Sequence, residues 1–216
     1  MPPRIQQFRS ALQIAIFTTK SRSPFRSTVT TMSTNTPTFD SIGVKNTTIN
    51  CSPGTNLSPH QKLLVGSVLD LFEGKPTLKH LSLWNRNAVF ADPLTDAVGY
   101  DRFAAQWYGL PAVFGKIQLV SHQVVDGRNP MELELKNRYT AKVVGKTQEI
   151  DSRVKIWVGG DGMIERVEDK WDGKELPDGF VGEALRKLNA VTVPMMVKVP
   201  KTEEEDRKMY EEREKA

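Results

Sequence analysis

Between residues 117 and 171 the chain breaks into four strand-like runs separated by tight glycine turns, and few folds accept that pattern. Ile117 to Val125 stops at Asp126-Gly127, Met131 to Val144 at Gly145-Lys146, Gln148 to Val158 at Gly159-Gly160-Asp161-Gly162, and Met163 to Trp171 at Asp172-Gly173. Short glycine turns between alternating runs read as hairpins, because the turn must adopt backbone angles that suit glycine. Consecutive hairpins predict a meandering antiparallel sheet.

Period-two reading sorts the side chains of that sheet. Leu133, Leu135, Asn137, Tyr139 and Ala141 share one face of the long run, against Glu132, Glu134, Lys136, Arg138 and Thr140. Ile150, Ser152, Val154, Ile156 and Val158 oppose Asp151, Arg153, Lys155 and Trp157, while Val167, Asp169 and Trp171 oppose Arg166, Glu168 and Lys170. The simplest assembly is an inner wall of Tyr139, Val154, Val167, Asp169 and Trp171. It leaves Asp151 and Arg153 outside.

Helical spacing dominates upstream. Ser58 or Asn56 can cap a helix beginning near Pro59, whose apolar stripe is Leu63, Leu64, Val68, Leu71 and Phe72. Gly74-Lys75-Pro76 ends it, and a short helix from Thr77 carries Leu78, Leu81 and Trp84, with His80 read as a packing residue. A strand from Ala88 to Ala91 must stop at Asp92-Pro93, since proline lacks the ladder donor and pushes Asp92 toward extended geometry. Gly99 then turns the chain into a helix whose buried face is Phe103, Trp107, Leu110 and Phe114, with Tyr108 beside it. Helices first and strands later is the α+β pattern.

The ends read differently. Residues 1–36 hold Arg4, Arg9, Lys20, Arg22 and Arg26 and no acid, with Ile5, Phe8, Leu12, Ala15 and Ile16 at helical spacing, the composition of a mitochondrial presequence. A start at Met32 would remove nearly all of it and leave a cytoplasmic form. Residues 37–57 read as a disordered linker, having too few apolar residues to offset the entropy of ordering. The folded domain is placed at 58–199. Phe180, Ala184, Leu185, Leu188 and Val191 suggest a further helix, and the apolar run Val191 to Val199 either covers a pocket mouth or meets a partner. Residues 200–216 read as a solvated, charged tail.

Composition excludes several classes. The formal charge of +4 belongs to the leader, because 25 basic and 26 acidic side chains remain beyond it. Such a domain lacks the phosphate-neutralising footprint of a nucleic-acid binder. Cys51 is the single cysteine, so no internal disulfide forms. No apolar run reaches the roughly 20 residues of a membrane span. Three scattered histidines offer no ligand spacing, and no phosphate-binding glycine loop occurs, so neither a metal nor another cofactor is expected.

Phe90-Ala91-Asp92-Pro93, Gly99, Phe103-Ala104-Ala105-Gln106-Trp107-Tyr108, Gly162-Met163-Ile164 and Trp171, in that order over about residues 58–173, resemble the nuclear transport factor 2-like superfamily, its SnoaL-like and ketosteroid isomerase-like branches above all. The resemblance implies a curved antiparallel sheet wrapped around helices to form a conical pocket, and a homodimer through the outer sheet face. It puts Asp92 at the general base of the isomerases and Trp171 on a pocket wall. It also puts Val68 and Val154 where those enzymes carry the tyrosine and protonated acid that stabilise an enolate, so steroid isomerisation is not implied.

Two readings of function follow. In one, the cone binds a small, mostly apolar ligand, with Trp107, Tyr108, His122, Tyr139, Val154 and Trp171 around it and Asp92 and Asp169 as acid–base groups of an isomerase, dehydratase or hydrolase. The structural alternatives are a turn cap for Asp92, a salt bridge to Arg102 or a residue near Lys170 for Asp169, and plain core for Trp171. In the other, the domain is a non-catalytic, homodimeric interaction module.

Overall fold

The computed structural model describes residues 36–93, 95–142, 145–171 and 197–215. The leader up to residue 35, the helix expected from Gly179 and the apolar run up to residue 196 lie outside the described residues. Along the chain come α1 (Phe39–Ile42), α2 (Pro59–Phe72), α3 (Leu78–Leu81), β1 (Trp84–Asp92), β2 (Thr95–Val98), α4 (Tyr100–Val113), β3 (Phe114–Asp126), β4 (Met131–Ala141), β5 (Thr147–Val158), β6 (Ile164–Trp171) and α5 (Glu203–Glu214). This is an α+β fold.

The four glycine-separated runs form β3 to β6 as an antiparallel meander, and the sheet order is β2-β1-β6-β5-β4-β3. One pairing departs from the antiparallel expectation: β1 lies parallel to β6, so the curved sheet is mixed. Hairpins fix only neighbours in sequence, whereas β1 meets β6 after α4 and the whole meander have intervened. β2 is a strand that the sequence pattern does not mark. Its four residues pair antiparallel with β1, from Val89 with Val98 to Asp92 with Thr95. Register shifts along β3, between Leu119 and Ser121 and again between Val124 and Asp126, bend that strand.

Inside the sheet lie α2 and α4. Ser58 caps α2 through a reciprocal capping box with Gln61, Pro59 stands in the first turn, and every residue from Leu63 to Phe72 is buried. Gly99, at φ 86°, opens α4, and its amide donates to the Ala88 carbonyl at 2.9 Å. The face of α4 expected to be buried is buried. The Trp107 ring lies 4.5 Å from Phe90 and 5.1 Å from Phe72, and Phe103 stacks on Trp84 at 5.1 Å.

Residues 37–57 are not a loose linker. Ile42 and Val44 are buried, and the amides of Lys45 and Asn46 donate to Asp70 at 2.7 and 3.1 Å. Further on, Cys51 bridges to Val124 and covers the edge of β3. The anchoring is in the receiving surface, on the second side of α2. Gly66 leaves room for the Asn46 carbonyl, and a Cβ there would collide with that oxygen and crowd Val44 Cγ1 at 3.0 Å. Gly66→Ala is expected to cost about 1–3 kcal/mol, overpacking outweighing the gain in helix propensity. Urea unfolding measures it, with faster proteolysis within residues 37–57 as a second readout.

The charged tail is not free either. Asp206 of α5 is buried and accepts from the Tyr108 hydroxyl and from the Leu78 amide, each at 2.7 Å. That second bond satisfies a free amide in the first turn of α3. Arg213 donates to the Pro76 carbonyl at 2.8 Å. Asp206→Ala leaves a buried hydroxyl and an amide without their acceptor, so unfolding should become easier by about 2–4 kcal/mol.

Candidate functional site

The parallel register pairs Phe90 with Val167 and Ala91 with Glu168, so the next step along both strands brings Asp92 beside Asp169. Both follow inward-facing residues at period two. The two carboxyls therefore share one end of the inner wall. Around them Phe72, Phe90, Gln106, Trp107, Leu110, Tyr139, Ile150 and Trp171 enclose a cavity with about 40 Å³ open to a water-sized sphere. Asp92 and Trp171 are its half-buried lining residues and mark the mouth; the others are buried.

One oxygen of Asp92 accepts from the Thr95 amide at 2.8 Å, closing the turn after Pro93. The turn-cap reading of Asp92 is thus realised, and it coexists with a place in the cavity wall. Asp169 forms no salt bridge among the described residues. Its Oδ2 accepts from Trp171 Nε1 at 3.0 Å, and its Oδ1 is buried without a hydrogen-bond partner. Burial, opposed by the bond from Trp171 and the neighbouring Ser152 hydroxyl and reinforced by the charge of Asp92, pushes its carboxyl up to about 7. Near neutral pH it is therefore a source or a sink of one proton.

Tyr139 is held by Asn137, whose Nδ2 donates to the tyrosine oxygen at 3.2 Å and to the Phe72 carbonyl at 3.1 Å. Burial, with the nearby Asp169 and Asp92, raises its phenol, so Tyr139 stays a neutral hydroxyl. Asn137 Oδ1 and Trp107 Nε1 are also buried without partners. The cavity thus combines an aromatic wall with a few fixed polar groups.

Of the residues expected from the sequence, the structure gathers Asp92, Trp107, Tyr139, Asp169 and Trp171. Tyr108, Val154 and His122 are not among the lining residues. Tyr108 follows Trp107 on α4 but turns its hydroxyl to Asp206, where burial and that carboxylate raise it. Val154 pairs with Asp169 across β5–β6 but is packed into the core. His122 sits on β3, where Nε2 accepts the Asn50 amide at 3.1 Å, and burial lowers its basicity, so its free lone pair is spent on the covering segment. Sequence reading did not assign Gln106, Asn137 and Ser152 to the site. The last two had a signal, being polar residues at inward positions of apolar-in strands.

His80, read as a packing residue, is part of a buried polar cluster. Its Nε2 stands 3.2 Å from Asp70, its Nδ1 lies 3.0 Å from the Thr77 hydroxyl, and Asn46 Nδ2 donates to Asp70 at 2.7 Å. This cluster ties residues 45–46, α2 and α3 together and does not touch the cavity.

No family model matches the sequence, and no curated protein does. Several of its solved structural neighbours are described as nuclear transport factor 2-like proteins. One from Anabaena variabilis ATCC 29413 is 17% identical, spans 57% of this chain and 97% of its own, and superposes with a TM-score of 0.47. Another, of unknown function, from Burkholderia pseudomallei K96243 is 15% identical over 53% of this chain and 92% of its own, also at 0.47. A phenazine biosynthesis-related protein from Pseudomonas aeruginosa is 15% identical over 66% and 91%, at 0.43. At these scores the likeness carries no argument. The fold stands on the strand order and register above, and the cavity on its own residues.

Proposed function

We propose that the cavity binds the polar end of a small, mostly apolar ligand, whose apolar remainder lies toward the mouth beside Trp171. The supporting observation is Asp169 Oδ1, a buried polar atom with no hydrogen-bond partner, on a residue that lines the cavity beside a second carboxyl. An unmet polar group of this kind costs about 1–3 kcal/mol, which a ligand hydroxyl or carbonyl, or one ordered water, offsets. The open space is far below the roughly 300–1,000 Å³ of a drug-sized pocket, so only a few ligand atoms enter past Trp171. Mass spectrometry of small molecules released from the intact protein tests this reading. Recovery of a stoichiometric apolar compound, lost in Asp169→Leu, supports it; an empty wild-type protein that also binds no small alcohol or ketone contradicts it.

A second reading, proton transfer on that ligand, is favoured by the same pair: Asp169, protonated up to about pH 7, as the acid and Asp92 as the base. The homodimer belongs to the proposal in a restricted form. The outer face carries cross-strand ion pairs, Glu132–Lys155 at 2.8 Å, Glu134–Arg153 at 3.3 Å, Lys136–Asp151 at 3.1 Å and Arg138–Glu149 at 2.6 Å. Association through such a face should weaken as salt shortens the screening length, read by sedimentation velocity. A salt-insensitive dimer would place the interface elsewhere. Mitochondrial delivery by the acid-free leader is likewise proposed, and N-terminal sequencing of the organelle-purified protein tests it.

A further inference from the structure

A second open space, larger than the cavity between Asp92 and Asp169, lies elsewhere on the described residues. It is a groove of about 880 Å³ walled by the end of α2, the last turn of α4, the start of β3, the end of β4 and α5. Its apolar wall includes Pro111, Phe114, Ile117 and Met209. Four cations stand around it, Lys75, Lys116, Lys142 and Arg213, against two carboxylates, Glu73 and Glu212. Lys75 is occupied by Glu73 at 3.1 Å, and Arg213 by the Pro76 carbonyl. Lys116 and Lys142 are exposed and form no ion pair among the described residues. They belong to one rim: the Lys142 stem lies so close over Gly115 that a Cβ there would meet its Cγ at 3.1 Å.

A groove with one apolar wall, and with two ammonium groups on its rim that form no ion pair among the described residues, matches one ligand chemistry. We propose that this groove is a second binding site, separate from the cone, for a free medium-chain carboxylate. The alkyl chain lies along Pro111, Ile117 and Met209, and the carboxylate meets Lys116 and Lys142. Its volume falls within the range of small-molecule sites, roughly 300–1,000 Å³. An ammonium rim adds selectivity for anions over neutral amphiphiles of equal length.

Calorimetric titration of the full chain with dodecanoate, dodecanol and inorganic phosphate tests this. Saturable one-to-one binding of dodecanoate is expected, with dodecanol weaker by roughly tenfold and phosphate undetected. Lys116→Glu/Lys142→Glu should lose roughly tenfold in dodecanoate affinity. Both side chains are exposed, so the fold should be unaffected, as circular dichroism would confirm. Ala112→Trp, which fills the trough from an exposed position, should abolish binding, while Trp171→Ala in the cone should leave it unchanged. The site is overturned by an absence of saturable binding, by equal affinity for dodecanol, or by sensitivity to Trp171→Ala with none to the lysine reversal.

Discussion

Asp169→Asn should make the protein more stable at pH 8, by about 2–4 kcal/mol, and should flatten its stability between about pH 4 and pH 7. The sign follows from linkage. The carboxyl is raised from 3.8 to about 7 in the folded protein, so between those values the native state holds a proton that the unfolded chain has released. Wild-type stability therefore falls as pH rises through that window and levels off above it. Asparagine is nearly isosteric, can still accept from Trp171 Nε1, and carries no charge to bury. Urea unfolding of both proteins from pH 4 to pH 8 reads the effect. A variant less stable than wild type at every pH would mean that Asp169 is ionised and well satisfied, and the cavity would lose its protonated group. A stabilising substitution at an inward carboxyl is the trade expected where a site keeps a group for function at the fold's expense.

The opposite sign is expected at Asp70. It is fully buried, and burial pushes its carboxyl up, but His80, the Lys45 amide and Asn46 together hold it below the ordinary carboxylate range. Its contribution is thus complete above about pH 4 and is lost as pH falls through the depressed value. Asp70→Ala strands the Lys45 and Asn46 backbone amides and a buried imidazole at once, while Asn46 Nδ2 keeps its bond to Glu73, and should cost about 3–5 kcal/mol at pH 7. Hydrogen exchange should locate the damage in residues 44–46 and α3, with the meander less affected. Unchanged stability would show that the covering segment is not held by this carboxylate.

The meander was legible because turn chemistry and side-chain parity are local. Glycine turns marked β3 to β6, and counting by two placed Tyr139, Val154, Asp169 and Trp171 on the inner wall where they are found. The start of α2, with Ser58 or Asn56 as its cap, and the turn at Gly99 were legible for the same reason, and Ser58 is the cap. What escaped was non-local. The parallel seam between β1 and β6, which sets Asp92 beside Asp169, joins strands separated by most of the domain. Residues 37–57 looked too polar to fold, yet their order comes from polar partners on α2, Asp70 above all, and from the notch at Gly66. The same holds for the C-terminal stretch, where one acid among seven, Asp206, meets a tyrosine and a helix amide. His122 stood on a strand whose bulges defeat simple parity, and it turned out to serve the covering segment.

The proposed site joins a buried, protonated carboxyl to a cavity that takes the polar end of a small apolar molecule. Carboxyl-carbon NMR of aspartate-labelled protein tests it most directly, titrated over pH 3 to 9 with and without cyclohexanone as a probe. One aspartate resonance, absent in Asp169→Asn, should titrate near 7 and move saturably as the probe is added. Aspartates that all titrate below about pH 5, with no resonance responding to the probe, would contradict it.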